Sequence, residues 1–150
     1  MRDQKKADLV VLLRPFNYYA QQSCGIAWII GAGGRAMSVP SQSAYGYSVV
    51  SYGHDGSYSC SPYAFIHELG HNMGLVHDKA NTSSTGAFSY SYGYQVPGVF
   101  GTIMSYGQPR IGRFSSPEQV CTHNLLCGHT GTNNVKSLNE IRQSIAEFRN

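Results

Sequence analysis

Three histidines in the run HELGHNMGLVHD (67–78) restrict what this chain can fold into more than any other feature. His67 and His71 lie four residues apart, a spacing that puts both imidazoles on one face of a helix. His77 follows six residues later, too far on to share that turn. Gly74 stands between them, and glycine enters the left-handed backbone region without steric cost. The spacing therefore predicts a helix ending at Gly74 and a chain that turns there to bring His77 back. Glu68 is displaced from the His67–His71 axis but within reach of a water shared with an ion on that face. Neutral imidazoles with an open fourth position favour a catalytic zinc over a closed structural site. A zinc ion held by three of them lowers the pKa of bound water towards neutrality.

The flanking sequence supports that helix. In SCSPYAFIHELGHNMG (59–74), Ser61 suits the N-cap, Pro62 the first helical position and Gly74 the residue just past the end. Three apolar runs precede it. ADLVVLL (7–13) reads as a buried strand, GIAWII (25–30) as a strand with a glycine-rich exit, and YSVVSY (47–52) as a third. The serines and glycines between them read as loops. Residues 79–108 are turn-rich with no helical period, and their tyrosines suit a half built from loops. In NNVKSLNEIRQSIAEFR (133–149), Val135, Leu138, Ile141, Ile145 and Phe148 recur at three- and four-residue spacing, an amphipathic closing helix.

The fold class expected is α+β. With 150 residues, no internal repeat and no linker, residues 1–150 make one domain. A strand-and-helix half (1–74) is followed by a loop-rich half (75–150).

Charged residues are 13% of the chain and the net charge is +3, with no basic run longer than Lys5-Lys6. Neither nucleic acid nor a membrane is an expected partner. LVVLL is too short to span a bilayer and no cleavage site follows it, so no signal peptide is expected in this chain. Cys24, Cys60, Cys121 and Cys127 allow three pairings, and none lies in a CxxC. Two disulfides are favoured over four reduced core cysteines. Cys121–Cys127 would close a small loop and Cys24–Cys60 would staple distant segments, which implies a secreted or periplasmic setting. His54, His123 and His129 read as loop residues rather than a second metal site.

HELGHNMGLVH (67–77) resembles the HExxHxxGxxH signature of the metzincin metallopeptidases. TIMSY (102–106) is similar to that group's methionine-containing turn, so Met104 is implied as the apolar floor beneath the histidines rather than a ligand. Asp78 after the third histidine resembles the reprolysin (adamalysin) branch. The tyrosine of TIMSY resembles that of serralysins and astacins, implying Tyr106 as a further zinc ligand or an oxyanion donor. CGIAW (24–28) looks like the reprolysin edge strand, where Gly25, Ile26, Ala27 and Trp28 would pair with an extended peptide. With RFSSPE (113–118), the set is most similar to bacterial proteins of the peptidyl-Asp metalloendopeptidase type. The implied fold is a metzincin catalytic domain with a small twisted mixed sheet, an active-site helix and a C-terminal helix. It would lack the strand and long helix that usually precede the LVVLL equivalent.

By that resemblance the chain hydrolyses peptide bonds in a protein or peptide substrate, with Glu68 as general base and one zinc ion as cofactor. A structural calcium ion is compatible but not indicated, and a monomer is favoured. The segment after the methionine turn, SYGQPRIGRF (105–114), would line the pocket for the residue following the scissile bond. Arg110 and Arg113 there could pair with a carboxylate, implying a preference for aspartate; the alternative is two solvated loop arginines. Two rival readings stand beside this one. A non-catalytic zinc-containing binding module or truncated inactive domain would not need Glu68. A zinc hydrolase of non-peptide bonds would not need the edge strand.

Overall fold

The structure, a computed structural model, describes residues 1–149. Three strands form a mixed sheet in the order β1-β3-β2. They are β1 (Val10–Pro15), β2 (Gly25–Ala27) and β3 (Tyr47–Tyr52). β1 runs parallel to β3 with Val10 opposite Tyr47, and β2 runs antiparallel on the other side with Gly25 opposite Val50. A small hairpin, β4 (His54–Asp55) and β5 (Tyr58–Ser59), leads to helix α1 (Ala64–Asn72). After α1 come two further hairpins, β6–β7 (Gln95–Val96 with Phe100–Gly101) and β8–β9 (Val120–Thr122 with Leu125–Leu126). Helix α2 (Asn134–Ala146) follows. The architecture is the small α+β domain expected for the class.

Helix α1 packs against β2 and β3. That placement explains one departure from the sequence reading. The apolar run 7–13 is an edge strand, not a buried one: Leu12 is 58% and Leu13 54% exposed, because the helix covers the other two strands. The run 25–30 pairs only as far as Ala27. Beyond it the chain turns through Gly31, Gly33 and Gly34, all with positive φ, and Ile30 drops into the core. Ile30 is apolar because it is buried, not because it continues a strand.

The helix start also differs. Ser61 and Pro62 form a turn ahead of α1, in which the Ser61 hydroxyl accepts from the Tyr63 N–H at 3.2 Å. The Ser61 carbonyl accepts from the Ala64 N–H at 3.0 Å. At the other end the reading holds in detail, since Gly74 has φ +77 and ends the helix. A Cβ there would also lie 2.6 Å from Ala87 Cβ. Residues 36–45, read as loop, wind into 3-10 turns that bury Val39.

Two apolar clusters hold the domain. Ile30, Val39 and Ala87 pack with Ile141, Ile145 and Phe148 along the stripe of α2 and its end. Leu75, Ile103 and Met104 form the second cluster, with Phe114 and Leu138 against it. Much of the loop-built half is instead held by buried hydroxyls. Ser91 and Ser137 share a 2.7 Å hydrogen bond, and Ser115 donates to the Tyr92 carbonyl at 2.7 Å. Thr102 donates to the carbonyl of Tyr94 and accepts from its N–H. Such bonds supply the partners that buried backbone groups require where no ladder runs. Cys24 is bonded to Cys60 and Cys121 to Cys127; the second bond closes the β8–β9 hairpin.

Candidate metal centre

His67 and His71 are both buried on α1, one turn apart. The turn at Gly74 brings His77 back so that its Nε2 lies 3.1 Å from Nε2 of His67 and 3.2 Å from that of His71. The opposite ring nitrogens are tied to the backbone. His67 Nδ1 lies 2.8 Å from the Ile103 carbonyl and His71 Nδ1 lies 2.9 Å from the Leu75 carbonyl. A carbonyl can only accept, so both Nδ1 atoms carry the proton and both Nε2 atoms keep a free lone pair. This is the tautomer a metal ligand needs, fixed by its neighbours. Burial lowers the His77 pKa, against Asp78 and the backbone of Asn81, which raise it. Among the described residues the three form one group able to hold a metal ion.

The electrostatics agree with that use. Burial, then the neighbouring His71, drives the His67 pKa from 6.5 down to about 3, against the Ile103 carbonyl, which raises it. Burial likewise lowers His71 to about 4. Both imidazoles are therefore neutral at physiological pH. Burial pushes Glu68 the other way, up to about 7.

Asp78 ties the two sides of the site together from beneath. It accepts from the side chains of Asn81 and Gln95 at 2.8 and 2.9 Å, and from the Tyr106 N–H at 3.2 Å. Burial raises its pKa, but hydrogen bonds from Asn81, Tyr106, Ser105 and Gln95 outweigh this and hold it below the ordinary value. Met104 is fully buried, and its sulfur packs so closely under Gly70 of α1 that a Cβ there would lie 2.6 Å away. The Tyr106 hydroxyl stands 3.0 Å from His77 Nε2, with the side chain half exposed.

The two arginines separate. Arg113 is exposed. Arg110 is half buried, its Nε has no hydrogen-bond partner among the described residues, and it is close enough to depress His67 and His77. Burial lowers its own pKa, against the nearby Tyr106. On β2, alternation points Gly25 towards Glu68, while Ile26 and Trp28 (68% and 60% exposed) face away from α1. Ser51 N–H bonds the Cys24 carbonyl at 2.8 Å, which sets the phase of the pair. The N–H and C=O groups of Gly25 and Ala27 accordingly point to the open edge. His54, His123 and His129 are exposed and lie outside the triad.

Sequence reasoning missed two features. One is the contact of Gly25 with Glu68. The other is Asn72, fully buried, whose side chain donates to the carbonyls of Trp28 and Tyr47 at 3.0 and 3.1 Å. A polar residue beside His71 on the buried face was its only signal.

Residues 1–137 match the family model described as Metallo-peptidase family M12B Reprolysin-like. The chain belongs to this family of metallopeptidases. Among curated relatives, a peptidyl-Asp metalloendopeptidase of Stenotrophomonas maltophilia is 30% identical over 99% of the chain and 33% of its own length. One of Pseudomonas aeruginosa is 30% identical over 99% of the chain and 27% of its own length. One of Xanthomonas campestris is 35% identical over 58% of the chain and 22% of its own length. The chain thus spans a third or less of these relatives. A chain in a solved structure of a chaperone–substrate complex shares the fold, with TM-score 0.71 at 22% identity. It is matched over 99% of this chain and 22% of its own.

Proposed function

We propose that this chain is the catalytic domain of a zinc-dependent endopeptidase that prefers an aspartate after the scissile bond. The observation that carries the reading is the convergence of three histidine Nε2 atoms, two of them with the lone pair freed by backbone bonds, at the helix that carries Glu68. His67, His71 and His77 would hold the metal, and nitrogen donors of this number favour zinc with an open position. Bound there, zinc supplies Lewis-acid activation of water and of the substrate carbonyl.

The chain's own residues do the rest. An extended substrate adds to the open edge of β2, bonding the main chain of Gly25 and Ala27. Glu68 takes a proton from the attacking water and delivers it to the departing amine. Burial favours the protonated carboxyl and a zinc ion beside it would favour the carboxylate, so the group can both take the proton and return it. Tyr106, half exposed at the mouth of the triad, donates its hydroxyl to the oxyanion that develops. The name shared by the relatives supports the aspartate preference, and Arg110 gives it a physical reason. A half-buried guanidinium close to the triad, with no acidic partner among the described residues, is best satisfied by a substrate carboxylate, held by two parallel hydrogen bonds. Two disulfides support an extracytoplasmic setting. No helix among the described residues is long and apolar enough to cross a membrane.

Matched peptides carrying Asp, Asn or Leu after the scissile bond test the reading with zinc-loaded protein. The Asp peptide should be cleaved fastest, and Arg110→Ala should reduce that advantage by about 10–100-fold in kcat/KM. Arg113→Ala should leave it intact. Equal cleavage of the three peptides by the wild type would overturn the preference, and chelator-insensitive cleavage would overturn the zinc mechanism.

A further inference from the structure

Glu68 leaves α1 towards β2, and its side chain lies against Gly25. A Cβ on Gly25 would sit 2.5 Å from Glu68 Cγ and 2.6 Å from Cδ, and would also overlap Oε1. Gly25 is not among the glycines with positive φ, so its backbone conformation does not demand glycine. The close approach does.

The gap between helix and strand is pinned at both ends. Cys24, the residue before Gly25, is disulfide-bonded to Cys60 just ahead of α1. At the far end of the helix, Asn72 bonds the carbonyls of Trp28 beyond β2 and Tyr47 on β3. The helix therefore cannot withdraw to admit a methyl group, and Glu68 would have to move instead.

We infer that Gly25 is a positioning residue for Glu68. Its missing side chain forms the seat that holds the carboxylate at the cleft, and the disulfide and Asn72 keep that seat closed. The same residue presents its N–H and C=O to the open edge of β2. One residue thereby sets the distance between substrate backbone and carboxylate. This inference rests on the reading of Glu68 as the proton-transfer group.

The test is a double-mutant cycle of Gly25→Ala and Glu68→Ala, read by zinc content, thermal unfolding and peptide cleavage. Glu68→Ala removes all three atoms that the new Cβ would strike. Gly25→Ala alone should lower the melting temperature by about 5 °C or more. Added to Glu68→Ala, it should cost almost nothing. Its kcat should fall about 100-fold, the cost of an ångström-scale misplacement, with KM and zinc content unchanged, whereas in the Glu68→Ala background Gly25→Ala should cost no further activity. If Gly25→Ala cannot be purified, recovery of folded protein in the double variant supports the seat and its absence overturns it. Equal destabilisation in both backgrounds, or an unchanged kcat, also overturns it. Full activity in Glu68→Ala would sink the proton-transfer reading instead, while the unfolding cycle still decides the contact.

Discussion

The two halves of this domain hold their site residues by different means. Up to Gly74, a sheet ladder and one helix place His67, Glu68 and His71, and periodicity alone accounts for their arrangement. Past Gly74, His77, Tyr106 and Arg110 come from loops with little regular structure around them. There the work of the ladder is taken over by side chains: Asp78 for the turn, Thr102 and Ser115 for the strands around it. A metal site shared by both halves is as rigid as the weaker arrangement, which makes the buried polar network part of the chemistry.

The largest expected effect comes from pH acting on the metal-free protein. His67 and His71 have folded pKa values of about 3 and about 4 against an ordinary 6.5, so the unfolded chain binds protons first as pH falls. Their contribution to stability is complete above about pH 6.5 and is lost progressively towards pH 3–4. Glu68, raised to about 7 from 4.5, works in the opposite sense: the folded state gains as pH falls from 7 to 4.5. Two buried imidazoles outweigh one carboxyl. The melting temperature should therefore drop steadily from pH 6.5 to 4. A flat or rising profile would mean the histidines are not held neutral by burial.

The loop half is broken next by Asp78→Ala, which removes the acceptor for Asn81, Gln95 and the Tyr106 N–H at once. Zinc affinity, measured by competition with a chromophoric chelator, should fall about 10–100-fold. Unchanged affinity would show that the third histidine and the methionine turn do not need this anchor. The boundary between the halves is probed by Gly74→Ala. A left-handed conformation and a crowded Ala87 together should cost about 1–3 kcal/mol in denaturant unfolding. A neutral substitution would contradict the hinge.

What could be read from the sequence follows the same division. The helix, its end at Gly74 and the strand 47–52 were legible because local spacing encodes them. The two bonded cysteine pairs coincide with those that chain separation favoured. The burial of β1 was misjudged because an apolar run does not say which strands a helix will cover, and α1 covers β2 and β3. Ile30 was misplaced for a related reason: core turns and buried strands draw on the same residues. Arg110 and Arg113 looked alike in SYGQPRIGRF, and only three-dimensional packing distinguishes the half-buried guanidinium from the exposed one. The seat of Glu68 on Gly25 joins residues far apart in the chain, and no periodicity links them.

The central claim, that both halves together make a zinc peptidase site with Glu68 as its proton carrier, is tested most directly on a diverse peptide pool. Zinc-loaded wild type and Glu68→Ala would be incubated with the pool and the cut sites read by mass spectrometry. The wild type should cut, predominantly before aspartate. Glu68→Ala should retain one zinc and lose about 10²–10⁴-fold of the rate. Cleavage undiminished in Glu68→Ala, or no cleavage by a wild type that holds its zinc, would contradict the account.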